Sequence, residues 1–150
     1  MEGAITHDPA NLDMTFSTNR GNVGNHPIMS KAVAEGDAAS IRVFGFGQSM
    51  SVPKGATALL KLSDTAVDSV RKDVEGVPGA DFDWIEQAAR GRAMAVAFTF
   101  GSGRVVMVGN ADMLTARHTK EFEPFGMNAP SNRNREFLIG IMRWLAEPDR

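Results

Sequence analysis

Three polar residues sit where predicted strands give way to loops, and together they could do hydrolytic chemistry. Ser49 follows Gly45-Phe46-Gly47-Gln48 at the end of a predicted strand, and strand ends in α/β folds often carry function. A serine becomes a nucleophile only with a base within hydrogen-bond reach. His26 could supply that base, because Pro27 holds its backbone extended or turned and so fixes the imidazole. Asp112 follows the strongest predicted strand and could orient His26 or His118, or bind a metal. Gathered together, Ser49, His26 and Asp112 would suit hydrolysis of an ester or lactone, with a metal as an optional assistant.

Each of these residues also has a plain structural reading. His26 could hydrogen-bond a backbone carbonyl and fix the start of a loop. The glycines before Ser49 ease a bulge or close packing. Asn110 and Asp112 could close an Asx turn, or cap a short helix beginning near Met113. His7 with Asp8, and His118 near Glu121 and Glu123, offer nitrogen and oxygen ligands to a divalent cation, without the His-x-x-x-His or Glu-x-x-His spacing of a helical site. No cofactor is expected, and any metal stays open. Gly101-Ser102-Gly103 joins two strands, whereas a phosphate cradle needs a strand-to-helix junction.

The elements that must position these groups are clearest in the last third of the chain. Residues 93–100 and 104–108 are apolar runs flanking Gly101-Ser102-Gly103, which predicts a β-hairpin. Residues 134–147 predict an amphipathic helix, with Phe137, Leu138, Ile141, Met142 and Leu145 on one stripe. Asn132 or Asn134 can cap its start, and Pro148 lies past its end. Gly140 inside it is read as allowing close contact with the sheet. Residues 41–46 and 56–62 suit strands, 28–34 a short helix, 63–80 a loop with one helical turn near 67–70, and 83–89 another helical turn. Residues 1–27 are polar and turn-rich and read as an extended arm, leaving 28–150 as a single α/β domain. The expected core comprises Val43, Phe44, Leu59, Leu60, Ala95, Val96, Phe98, Val106, Val108, Phe137, Leu138, Ile141 and Leu145.

Composition narrows the classes of function. A chain of 150 residues is one domain by length and can bury a core without staples. The formal net charge of -2 gives no global drive toward nucleic acid or an anionic membrane. With no cysteine there are no disulfides, thiolate metal sites or cysteine nucleophile. No stretch reaches the roughly 18 apolar residues of a transmembrane helix, and Met1-Glu2-Gly3-Ala4 lacks the basic end of a secretory signal, so a cytoplasmic chain is expected. The 9 Met and 9 Phe supply the bulky core material that the absent tyrosines do not.

Several segments, in this order, carry a family resemblance: Asn25-His26-Pro27-Ile28, Phe46-Gly47-Gln48-Ser49, Gly103-Arg104-Val105-Val106-Met107-Val108-Gly109, Met113-Leu114-Thr115-Ala116, Gly126-Met127-Asn128-Ala129-Pro130, and Phe137-Leu138 with Trp144-Leu145. Over most of residues 24–146 the chain resembles uncharacterised bacterial proteins of the class I glutamine amidotransferase-like, flavodoxin-like group that includes ThuA-like proteins. The resemblance implies an α/β fold with a sheet of about four or five strands. It covers only the C-terminal half of that fold, because the βα half holding the nucleophile turn of amidotransferase relatives has no counterpart before His26. Without cysteine and without a Gly-x-Ser-x-Gly elbow, neither amidotransferase nor α/β-hydrolase chemistry carries over. A half-fold leaves a sheet edge and an apolar face uncovered, and partners resolve such surfaces. A homodimer is therefore expected. The expected function is a non-catalytic α/β binding or assembly module, with the small hydrolase at Ser49, His26 and Asp112, acting on a small-molecule substrate, as the alternative.

Overall fold

The structure, a computed structural model, describes residues 4–30, 32, 40–73 and 82–147. The run Ala-Met-Ala-Val-Ala-Phe-Thr-Phe has nowhere to go but into a sheet interior, and its Gly-Ser-Gly turn folds it onto a valine-rich return strand. Among the described residues the strands are β1 (Ala4–His7), β2 (Thr15–Phe16), β3 (Ile41–Arg42), β4 (Thr57–Lys61), β5 (Val67–Asp73), β6 (Phe82–Ala88), β7 (Ala93–Phe100), β8 (Gly103–Val108), β9 (Ala116–His118) and β10 (Pro124–Gly126). One α-helix, α1, spans Asn134–Ala146. There are two three-stranded sheets, ordered β1-β5-β6 and β4-β7-β8, and two two-stranded ribbons, β2-β3 and β9-β10. Every one of these strand pairs is antiparallel. The chain is thus mixed α/β, mostly antiparallel strands in several small sheets with one C-terminal helix.

The predicted hairpin and the predicted helix are both present within a residue or so of their expected bounds. Other expectations are corrected. The single sheet of four or five strands is divided among four small sheets. The segment read as an arm carries β1, which pairs with β5, and β2, whose Phe16 is fully buried. The loop expected at 63–80 contains β5, and the helical turn expected at 83–89 is β6. These two strands pair along seven residues, from Val67 with Ala88 to Asp73 with Phe82. Residues 83–88 are exposed, so the strand lacks the apolar alternation that marks a half-buried one. The expected 28–34 helix is a 3-10 helix at Pro27–Met29, and its later part lies largely outside the described residues.

The core sits between the β4-β7-β8 sheet and α1. Phe16, Ile28, Ile41, Leu59, Leu60, Ala95, Met113 and Phe137 are fully or almost fully buried there, and Met94 and Val96 are buried on the other face of β7. The helix meets it through Asn134, Phe137 and Ile141. Leu145, expected in the core, is 40% exposed. The inward line of α1 runs to one side of the apolar stripe, and polar Asn134 takes a place on it. Asn134 behaves as a piece of backbone: its amide oxygen accepts from Arg42 N, and its amide nitrogen donates to Arg42 O and Met113 O. The helix start is instead served by Asn132, whose Oδ1 accepts from Asn134 N at 2.9 Å.

Candidate functional site

Ser49 is held by backbone before its side chain acts. Residues 47–50 run beside β1 and β7: Thr6 N donates to Gly47 O, Gln48 N to Gly109 O, and Met50 and Ala93 exchange both bonds. This places the Ser49 hydroxyl where the two larger sheets meet. Ser49 Oγ donates to Asp68 Oδ2 at 2.7 Å, and Ser49 N donates to Thr6 Oγ1 at 2.6 Å. Thr6 Oγ1 in turn donates to the other carboxylate oxygen, Asp68 Oδ1, at 2.6 Å. Arg92 closes the ring: its Nε donates to Ser49 Oγ, Nη2 to Ser49 O and Nη1 to Ser51 Oγ, while Nε lies 3.3 Å from Asp68 Oδ2. The Asp68 side chain is 7% exposed and that of Arg92 18%. Four chain segments are thereby clamped around one buried ion pair.

The other two residues of the expected triad belong elsewhere. His26 Nδ1 accepts from Ile28 N at 3.3 Å, capping the 3-10 helix, and its ring meets Trp144 edge-on with centroids 4.8 Å apart. Asp112 Oδ1 accepts from Arg117 Nη2 at 2.8 Å, and the Arg117 guanidinium lies over the Phe125 ring. Ser49, His26 and Asp112 thus answer to three different sets of partners: Asp68 with Arg92, Ile28 with Trp144, and Arg117. In place of the carbonyl bond expected at His26, the imidazole accepts from the Ile28 amide. After β8 the Asn110 side chain serves the short 3-10 helix Asp112–Leu114 rather than closing an Asx turn: its Oδ1 accepts from Met113 N, three residues on, while Nδ2 donates to Phe44 O and Phe46 O. His7 Nε2 lies 3.7 Å from Glu86 Oε1, and no group of three metal-binding side chains occurs among the described residues.

Asp68, Thr6 and Arg92 were not legible as partners of Ser49. Asp68 lies in a stretch whose polarity suggested a loop, and Thr6 in the supposed arm. No local signal could have found them: Val67-Asp68-Ser69-Val70 is apolar, polar, polar, apolar, without the two-residue alternation of a strand.

Burial lowers the pKa of the His26 imidazole below its ordinary 6.5. Unfolded, this residue takes up a proton near that value; folded, it resists until lower pH. Between the two the unfolded state binds more protons, so this part of the stability is full above pH 6.5, declines below it, and stops changing beneath the depressed folded value. Protonation at Nδ1 would also remove the acceptor that caps Ile28 N. His26→Asn keeps a capping acceptor without the titration. Urea midpoints measured on both sides of pH 6.5 are expected to fall more on acidification in the natural chain than in His26→Asn. An equal fall in both would reject this role for the imidazole.

A groove of about 490 Å³ separates Pro27, Ile28 and Ser30 from the Ile139, Arg143 and Trp144 side of α1. Its floor is Gly140, seated against the Ile28 carbonyl. None of Ser49, Asp68, Arg92 or Asp112 lines it, so the groove and the buried polar clamp are separate features. No helix among the described residues is long and apolar enough to cross a membrane. No family model, curated protein or solved structure matches the chain.

Proposed function

We propose that this chain is a non-catalytic α/β module that assembles with a second copy of itself. In this reading its helix-on-sheet unit, β4, β7, β8 and α1, is the counterpart of the C-terminal half of a glutamine amidotransferase-like, ThuA-like fold. The observation that carries the reading is apolar surface left open. Met142 and Leu145 are 59% and 40% exposed side by side on α1, while Phe100 and Met107, 77% and 48% exposed, lie on the hairpin face turned away from that helix. Single exposed hydrophobes are normal, but adjacent ones along one side of a helix mark an interaction surface. The polar residues that could have done chemistry support the same reading from the other direction. The Ser49 hydroxyl donates to Asp68, its oxygen accepts from Arg92, and no imidazole is among its bonds.

Light scattering on the purified chain at roughly micromolar to tens-of-micromolar concentration is expected to give twice the 16.2 kDa of one copy. A monomer throughout that range would overturn the assembly reading. Ester and lactone panels are expected to be silent. Turnover lost in both Ser49→Ala and His26→Ala would instead establish the hydrolase.

A further inference from the structure

The register of the β7-β8 hairpin sorts its side chains. Phe98 opposes Val105 and Val96 opposes Met107 on one face; Ala97 opposes Val106, Ala95 opposes Val108 and Thr99 opposes Arg104 on the other. Ala95 and Ala97 are buried and Val106 and Val108 pack against the core, so the second face is the one that α1 covers. Arg104 confirms the placement: its guanidinium donates to Trp144 O and Glu147 O and lies over the Trp144 ring.

The helix has two shoulders beside its inward line. One, around Gly140 and Arg143, faces the 3-10 helix at Pro27–Met29 across the groove. That 3-10 helix follows residues 22–24, which are bonded to the outer edge of β4: Gly24 N donates to Leu59 O and Lys61 N to Asn22 O. The first shoulder therefore lies toward β4. At 100° per residue, Leu138, Met142 and Leu145 form the opposite shoulder, toward β8. Leu138 is half-buried and the other two are exposed.

β8 is the outer strand of its sheet, and no described strand pairs with its free edge. Edge strands are normally protected by outward charges, proline or a bulge. Here the sequence is Gly-Arg-Val-Val-Met-Val, and its one charge, Arg104, is turned inward onto the helix end. An unprotected valine-rich edge thus runs beside an uncovered apolar helix shoulder.

We infer that β8 and the Leu138–Met142–Leu145 shoulder form one interface for a second copy of this chain, paired antiparallel about a two-fold axis at Val106. This rests on the self-association proposed above and names the surface that performs it. The pairing is self-complementary, as a two-fold interface requires. Val106 meets itself, Val105 meets Met107 of the second copy, and Arg104 meets Val108, with Gly103 and Gly109 at the two ends. No like charges fall opposite one another. The two three-stranded sheets become one of six strands, and the two helix shoulders meet over the new seam.

The chain contains no cysteine, so a single introduced thiol reports on one position. In an antiparallel ladder directly opposed residues have Cα atoms about 4.5–5.5 Å apart, within disulfide reach. Val106→Cys in the full chain is expected to give a covalent dimer under mild oxidation, and Ser102→Cys at the hairpin turn is expected to stay single. Met142→Glu changes an exposed side chain and should leave the circular dichroism unaltered while raising the dimer dissociation constant at least about tenfold. A natural chain that is monomeric removes both this interface and the self-association it rests on. A natural dimer that persists undiminished in Met142→Glu overturns this interface and leaves self-association standing. A dimer sensitive to Met142→Glu whose Val106→Cys variant does not cross-link overturns the two-fold axis at Val106.

Discussion

Asp68→Asn is expected to lower the unfolding free energy by about 3 kcal/mol, near the lower end of the range for breaking a buried ion pair from one side. The carboxylate is the hub of the clamp: it accepts from the Thr6 and Ser49 hydroxyls and stands 3.3 Å from Arg92 Nε. Asparagine keeps the shape, and its two hydroxyl neighbours can rotate to suit an amide. What it removes is the negative charge. Arg92, with little of its side chain in water, is then a guanidinium with no anion beside it. The low end of the range is appropriate because Arg92 retains bonds to Ser49 O and Ser51 Oγ and keeps some contact with solvent. The double variant Asp68→Asn with Arg92→Met should recover part of the loss, since no unpaired charge remains. Urea unfolding of the two single variants and the double variant measures the coupling. A loss below about 1 kcal/mol for Asp68→Asn, the level of an exposed pair, would show that the clamp contributes little.

That clamp also shows where the sequence stops being informative. The hairpin at 93–108 and the helix at 134–146 were legible because each carries its own signal: a run of apolar residues broken by Gly-Ser-Gly, and a stripe with helical spacing. β5 and β6 carry none, because their sheet keeps one long strand almost wholly in solvent, and neither strand alternates apolar with polar residues along its length. β1 is four residues long and exists through its pairing with β5, more than sixty positions away, as the Thr6 to Asp68 bond illustrates. No local window contains that information. The same limit governs the site. Ser49, His26 and Asp112 were selected as polar residues beside strand ends, and all three are engaged, but with partners that only the tertiary fold supplies. Leu145 is the informative miss. The five-residue apolar stripe of α1 is wider than the line that the core uses, and the surplus, Met142 and Leu145, is left exposed.

Gly140 separates local propensity from packing in a single substitution. In an exposed helix interior, Gly→Ala would stabilise by about 0.8–1.0 kcal/mol. Here the sequence-level expectation of close contact is right in kind and differs in partner: the close neighbour is the carbonyl of Ile28 in the 3-10 helix, and not the sheet. A Cβ at this position would lie 3.2 Å from the Ile28 carbonyl carbon and nearer still to its oxygen. Ile28 cannot yield easily, because it is buried, follows a proline, and donates its amide to His26 Nδ1. The helix must then lift away from the 3-10 helix, loosening Phe137 and Ile141 in the core. Overpacking of this kind costs about 1–3 kcal/mol, and contact with backbone rather than with a flexible side chain favours the upper end. Gly140→Ala is therefore expected to destabilise by about 2 kcal/mol after the helix gain is subtracted. A stabilised variant would show that propensity wins and that the Ile28 contact is soft. Because Gly140 lies on the shoulder facing away from β8, the variant should dimerise as the natural chain does at temperatures where both are folded. A loss of dimer in Gly140→Ala with its fold intact would place the interface on the groove side of α1, against the surface inferred above.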